Sequence, residues 1–441
     1  MPWLITRCLA VCKVECGADR WVGPATIHGK AALMWVFDIV FSLPVLVAGL
    51  ALAGLIGARA RARIAAGGDI RTLAALPKAH AANAVLSVLV PTIASYAALS
   101  VVRLIGHQQG VETLSAGAVF WAVLAVGAIG CFGAIVRSSA GFRARVASEA
   151  WIKSLLIAAS TVAILTTLGI VLSMVSETLQ FFHQYDWRDF FFSADWAPNF
   201  RGNSALGILP LLWGTLYVSF IALMVAVPVG LFAAIYLSEY AGPRMRGVAK
   251  PLIEVLAGIP TIVYGLFALI TVGPLLRDYF AQPLGLGDSA SSVMTAGLVM
   301  GIMLIPFVSS LSDDTINSVP QTMRDGSYAI GATRSETIRQ VVIPAALPGI
   351  VGAVLLAASR AIGETMIVVL GAGAAARLSL NPFEAMTTIT VKIVSQLTGD
   401  TDFASPETLV AFALGLTLFT FTLGLNVLAL MIVRKYREQY E

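Results

Sequence analysis

Residues 208–237 read ILPLLWGTLYVSFIALMVAVPVGLFAAIYL, thirty residues without one Asp, Glu, Lys or Arg. A helix that crosses the hydrocarbon of a bilayer needs roughly 20 mostly apolar residues, and this run exceeds that length. Strands of an outer-membrane barrel would alternate polar with apolar side chains. This run does not alternate, so it reads as a transmembrane helix.

Working outward, eight more such runs occur at 33–57, 82–105, 116–136, 154–176, 252–272, 293–311, 345–370 and 408–433. Several contain Gly or Pro (Pro228, Gly258, Pro260, Pro306), which packed membrane helices tolerate because neighbours satisfy the freed backbone groups. The whole chain agrees with this reading. Of 441 residues, 58% are hydrophobic and 12% charged, about half the charged share of a soluble domain, and mean hydropathy is +0.84. A charged coat for a water-soluble enzyme is missing. The same composition excludes a disordered chain, and the 39 glycines follow no triplet repeat. A net charge of +4 is too small and dispersed for a nucleic-acid surface, and four cysteines make no disulfide framework.

The basic residues orient the spans. The segments 58–81, 137–153, 238–250, 311–344 and 434–441 together hold 18 Lys and Arg, against five in 106–115, 177–207, 273–292 and 373–407. The positive-inside rule therefore places the C-terminus and the 311–344 loop in the cytoplasm and the N-terminus outside. The tail 1–33 breaks the pattern with Arg7, Lys13, Arg20 and Lys30, and it has no apolar run long enough for a signal peptide. It carries Cys8, Cys12 and Cys16 at four-residue spacing, with no His or fourth thiol nearby to complete a metal set. The expectation is a non-native or disordered tail, with translation starting at Met34.

Residues 34–150 form a three-span unit whose only intramembrane charges, Asp38 and Arg103, lie near span ends. Residues 151–441 form a six-span unit with informative loops. Its outer loop 177–207 is rich in aromatics (Phe181, Phe182, Tyr185, Trp187, Phe190, Phe191, Phe192, Trp196), which suit an interfacial belt or a docking surface for an external partner. In the outer segment after Leu378, Asn381, Pro382 and Glu384 have the spacing of a helix start. Phe383, Met386, Ile393 and Leu397, with Lys392 among them, then predict a short helix lying in the outer interface.

The cytoplasmic loop 311–344 is the most informative stretch. Pro320 opens a helix, Gly331 can take the left-handed conformation that closes it, and Thr333 with Glu336 forms a capping box for a second helix that stops before Pro344. Two short helices joined by a glycine make a rigid knob that a soluble partner could grip. The spacing of Asp325, Gly326 and Ser327, then Gly331, then Val341, Ile343 and Pro344 resembles the EAA loop of ABC importer permeases, with Asp-Gly-Ser in place of Glu-Ala-Ala. Glycine inside a helix costs about 1 kcal/mol relative to alanine, so the first helix is expected to be looser here.

The stretches 209–216, 234–241, 254–265, 359–366 and 381–400 and the ending RKYREQYE narrow the resemblance to phosphate importer permeases of the PstC type, over about 151–441. The extension of 34–150 resembles that of longer proteins of this type. The resemblance implies an all-α polytopic membrane protein, a six-helix transmembrane domain of a type I ABC importer preceded by a three-helix N-terminal extension. It implies a second permease (PstA-type), two ATPase subunits (PstB-type) and a periplasmic phosphate-binding protein (PstS-type) as partners in the bacterial inner membrane. No cofactor is expected on this chain; ATP and Mg would be used by the ATPase, which the coupling loop meets.

Arg360 and Glu364 stand four residues apart in the run 345–370, which predicts one shared helix face. Charges within a span usually face a bundle interior or an aqueous path. The pair reads either as a self-satisfying ion pair that orients the helix, or as Arg360 meeting an anion while Glu364 holds it and neutralises the empty site. Guanidinium geometry suits phosphate oxygens, and the resemblance implies the second role. Glu254 reads as an end-of-span anchor, and His107 and His183 lie in outer loops without metal spacing. No nucleophile with a nearby base and no G-x-x-x-x-G-K-[ST] phosphate cradle occurs, so ATP hydrolysis is not expected of this chain. Rival readings are a permease for another oxyanion such as sulfate or molybdate, an ion-coupled secondary transporter, which should show inverted repeats, and a membrane-embedded enzyme.

Overall fold

The computed structural model describes residues 25–67, 71, 73–108, 115–199, 204–399 and 405–437. Cys8, Cys12 and Cys16 lie outside the described residues, as does the side chain of His107. The chain divides into two compact units between Thr166 and Thr167.

The first unit is built from α1 (Ala25–Ala65), α2 (Pro77–Gln108) and α3 (Ala116–Arg137). Small residues let these helices approach closely, as expected where no hydrophobic drive exists between helices in lipid. Ala58, Ala84 and Ala134 form one buried contact, and Ala51, Val88 and Cys131 another. A Cβ added at Gly130 would lie 2.2 Å from the Ser87 carbonyl oxygen, so only glycine fits that crossing.

Helix α4 (Ala144–Gln184) carries the boundary between the units. The segment that follows holds α5 (Trp187–Phe192) and a two-residue hairpin, β1 (Trp196–Ala197) against β2 (Ala205–Leu206), with Trp196 opposite Leu206. Part of its aromatic set turns inward. Phe181 and Phe190 are fully buried beside Leu206, Ile208, Leu211 and Leu409. Tyr185 stacks on Phe181 at 5.4 Å and accepts the Leu206 N–H on its hydroxyl. Phe181 and Phe190, with the partly buried Phe182, Tyr185 and Trp196, form an interior plug because each finds another ring edge or an aliphatic partner; Trp187, Phe191 and Phe192 remain exposed.

The membrane core follows: α6 (Leu209–Ile235, prolonged by a π-turn to Tyr240), α7 (Pro243–Ala257), α8 (Thr261–Ala281), α9 (Val293–Ser318), α10 (Gln321–Ala329), α11 (Arg334–Ile362), α12 (Met366–Gly371), α13 (Ile389–Gly399) and α14 (Pro406–Arg437). Among the described residues nine helices are long and apolar enough to cross a membrane: α1 to α4, α6, α8, α9, α11 and α14. Packing centres on α6 against α9. Gly297 and Gly301 of α9 form a G-x-x-x-G step, where an added Cβ would meet Ile221 at 2.6 Å and Val225 at 2.8 Å. Pro228 and Pro306 sit inside these two helices, as the sequence allowed.

Several expectations are corrected. The run 252–272 is not one span. Pro260 forces the residue before it away from helix, so the chain breaks at Gly258–Pro260 and the span is α8, while α7 is a separate helix with Arg244, Arg246, Lys250 and the exposed Glu254. Glu254 is therefore not a span anchor. The second loop helix does not stop before Pro344. A π-turn at Ile338–Val342 widens the helix ahead of the proline, and α11 continues to Ile362. The run 345–370 does end early, at Gly363. Asn381 does not cap a helix; its side-chain oxygen accepts the Phe383 N–H in a turn, and α13 begins eight residues later at Ile389. His183 lies at the end of α4 rather than in a loop.

Candidate functional site

The knob of 311–344 is built from the end of α9 inward. Pro320, extended at ψ 137°, stops α9 and caps α10. Arg324 of α10 turns back into the protein. Its Nη1 donates to the Val319 carbonyl at 2.6 Å, and its Nη2 to the Ile316 carbonyl at 2.7 Å and to Glu239 Oε1 at 3.1 Å. The first two acceptors are carbonyls at or just beyond the last turn of α9, where a cation is favoured. Glu239 lies in the π-turn that ends α6, and both side chains of the pair are about nine-tenths buried. One guanidinium thus ties α10 to α6 and α9 together.

Ser327 shares a 2.9 Å hydrogen bond with Thr337 and so ties α10 to α11. Between them Gly331 takes φ +88°, a conformation open to glycine at no steric cost. Thr333 and Glu336 form the reciprocal capping box: the Thr333 N–H donates to Glu336 Oε2 at 2.8 Å and the Glu336 N–H to Thr333 Oγ1 at 3.4 Å. Arg334 lies 5.1 Å from the centroid of Tyr240, a second link to the end of α6. Asp325 and Gly326 are exposed, and Ile330, at the corner beside Gly331, is 87% exposed. Val341, Ile343 and Pro344 are half-buried. The residue that fills the core beneath the knob is Val342, with Ala234, Ile316, Ala346 and Ile350, because the π-turn shifts the inward face by one position.

A second ionic link was missed by sequence reading. Arg246 and Lys250, four apart on α7, both reach Asp313 of α9, which is 1% exposed. Arg246 Nη2 contacts both carboxylate oxygens, at 3.0 and 2.9 Å, and Lys250 Nζ donates at 2.9 Å. Asn317 donates to the same carboxylate at 2.8 Å. The hydrogen bond to Asp313 is the main reason that the Lys250 ammonium is held above its ordinary range. The i,i+4 spacing of Arg246 with Lys250 and of Asp313 with Asn317 was the available signal. Arg324 and Glu239 were likewise not singled out; an acidic residue at a helix C-terminus opposes the dipole unless paired, and that mismatch was the clue to Glu239.

Arg360 and Glu364 do not share a helix face. Arg360 is exposed in the last turn of α11 with its guanidinium carbon 5.3 Å from the Phe307 ring centroid. Glu364 lies beyond the helix end, where its carboxylate accepts the Met366 N–H at 3.1 Å and caps α12. Gly363 supplies the stop and Glu364 the start of the next helix. No ion pair joins the two among the described residues, so the self-satisfying reading fails and Arg360 keeps its donors free of any carboxylate. Thr390, just ahead of Lys392 in α13, donates to the Glu364 carbonyl at 2.9 Å, which fixes the corner.

The family described as "Binding-protein-dependent transport system inner membrane component" matches residues 226–438. The chain is 33% identical to the probable ABC transporter permease protein YqgH of Bacillus subtilis over 246 residues, covering 56% of this chain and 76% of that one. It is 32% identical to the phosphate transport system permease protein PstC of Mesorhizobium japonicum over 297 residues, 63% and 88% of the two chains. Against PstC 1 of Mycobacterium tuberculosis the identity is 35% over 278 residues, 56% and 81% of the chains. The chain belongs to the PstC-type permeases. The permease is a multi-pass inner-membrane protein, and among its described residues nine helices are long and apolar enough to cross a membrane. The family match begins within α6 and takes in the knob, both ionic links, Arg360 and Glu364.

Proposed function

We propose that the permease is one of two membrane subunits of an ATP-driven importer of inorganic phosphate. The observation that carries this reading is the exposed Ile330–Gly331 corner, held rigidly to the ends of α6 and α9 by Arg324. The relatives' names supply the substrate. The C-terminus and the knob face the cytoplasm and the N-terminus faces the periplasm. A PstB-type ATPase grips α10 and the following corner through Asp325, Gly326 and Ile330. Ser327, Gly331, Thr333 and Glu336 keep the two loop helices at a fixed angle, and Val341, Ile343 and Pro344 lead the motion into α11. ATP and Mg act on the ATPase, and this chain holds no cofactor. A PstS-type binding protein delivers phosphate to the outer face, and a PstA-type permease completes the path.

Closure of the ATPases displaces α10. Because Arg324 bonds two elements at once, the displacement reaches α6 and α9 together and switches access between the two sides. Arg360, with donors not taken by a carboxylate, meets the anion. Glu364 holds the corner beside it and balances its charge when the path is empty. The test is uptake of radiolabelled phosphate by cells whose only phosphate importer is this permease with its companion subunits. Uptake should require the ATPase and the binding protein, survive excess sulfate or molybdate, and fall at least tenfold in Ile330→Asp. Uptake in vesicles without ATPase, or competition by sulfate, would overturn the reading.

A further inference from the structure

The three-helix unit has a feature that transport does not use. Between α1, α2 and α3 lies a cavity of about 460 Å³, within the size range of small-molecule sites. Its wall is hydrocarbon from Val47 of α1, Leu89 of α2 and Val123 of α3. The same face of α2 then presents Thr92, Tyr96 and, at the far end, Arg103, the only charged residue that lines it among the described residues. Thr92 spends its hydroxyl on the Val88 and Leu89 carbonyls of its own helix. The polar groups of the lining, the hydroxyls of Thr92, Tyr96 and Ser100, lie along α2 toward the Arg103 end. The part walled by Val47, Leu89 and Val123 carries none of them and suits a hydrocarbon chain.

The mouth is different. Arg103 is exposed, and among the described residues no carboxylate or carbonyl meets its guanidinium. From Leu89 to Arg103 the cleft follows 14 residues of helix, about 21 Å at 1.5 Å per residue. The hydrocarbon of one leaflet is half of a core roughly 30 Å thick. On the orientation proposed above, Arg103 lies at the outer end of α2, so the cleft covers the depth of the outer leaflet and brings its one cation to headgroup level. An apolar slot one leaflet deep with a guanidinium at its rim has the chemistry of a phospholipid: acyl chain within, phosphodiester on the planar donors.

We propose that the cleft of α1 to α3 binds one anionic phospholipid of the outer leaflet, with its acyl chain between Val47, Leu89 and Val123 and its phosphate on Arg103. The site gives the extension a role of its own: it anchors a structural lipid, independently of what the six-span unit carries.

The test uses the delipidated full chain in mild detergent, followed by native mass spectrometry with phosphatidylglycerol, with diacylglycerol of the same chains, and with inorganic phosphate. One phosphatidylglycerol should be held about 10-fold more tightly than diacylglycerol, the worth of one charge-assisted pair. Arg103→Gln should erase that difference and leave diacylglycerol binding intact. Ala48→Trp, which places a ring in the cleft from an exposed lining position, should remove both. An unchanged thermal midpoint in both variants confirms that they fold. Equal retention of the two lipids, no effect of Arg103→Gln, or displacement of the lipid by millimolar phosphate would overturn the proposal. So would a companion-subunit helix that crosslinks to position 48 with no lipid bound.

Discussion

Replacing Arg324 by methionine tests how the knob speaks to the membrane. Methionine keeps helix propensity and much of the side-chain volume, so the loss is confined to the guanidinium. Glu239, 9% exposed at its side chain, would then lie buried without a cation. Removing one partner of a buried pair costs about 3–5 kcal/mol, and the tenth of surface that the pair retains puts this case near the lower end. The Ile316 and Val319 carbonyls lose their donor as well. The thermal midpoint should fall on the order of 5–10 °C. The full complex in proteoliposomes should hydrolyse several times more ATP per phosphate moved, because α10 can move without α6 and α9. Adding Glu239→Leu removes the stranded charge, and apolar replacement of a buried pair is often neutral or better. The double variant should therefore regain stability and stay uncoupled. If it regained coupling too, packing rather than the charged link would carry the motion. If Arg324→Met alone unfolded within a degree of the parent and transported at the parental ATP ratio, the reasoning would be wrong.

Three other outcomes are expected. Gly326→Ala, where an added Cβ meets nothing within 4 Å, should stabilise α10 by about 0.5–1 kcal/mol, whereas Gly331→Ala, at φ +88°, should cost about 1 kcal/mol; thermal unfolding of the purified chain reads both. The raised Lys250 ammonium adds stability that is complete below its unfolded value, about 10.4, and is lost as pH rises through the higher folded value. The midpoint should thus fall more steeply above pH of about 10 in the parent than in Lys250→Met. Arg360→Gln should cut phosphate uptake at least tenfold with unchanged unfolding, since the side chain is exposed and bonds no carboxylate, and Arg360→Lys should restore part of it by returning charge without the planar fork.

The nine spans were legible because each is a long average over apolar residues, an average that a single Gly or Pro barely moves. For the same reason the breaks were not. Gly258 and Pro260 look like Pro228 and Pro306 to such an average, yet the first pair ends a helix and the second pair sits inside helices. The difference is tertiary. Pro228 and Pro306 belong to the packed α6 and α9, whereas α7 is a polar helix clamped to α9 by Arg246 and Lys250 and has no reason to continue into the membrane. The corner at Gly363–Thr365 was hidden likewise, although Gly-Glu-Thr is a stop followed by a cap.

The local signals of the knob, Pro320, Gly331 and the Thr333–Glu336 box, were readable because each acts within a few residues of chain. Arg324 and Glu239 were not, since they stand 85 positions apart and only the fold joins them. Their placement bears on mechanism. A knob held by helix caps alone would keep its own shape but could swing freely on Pro320. The buried guanidinium at the base of α10 removes that freedom, and it does so by bonding the very ends of the two helices whose G-x-x-x-G contact forms the centre of the six-span unit. A push on Ile330 thus arrives at the core through a rigid base, and the softness that Gly326 introduces stays on the exposed side of α10.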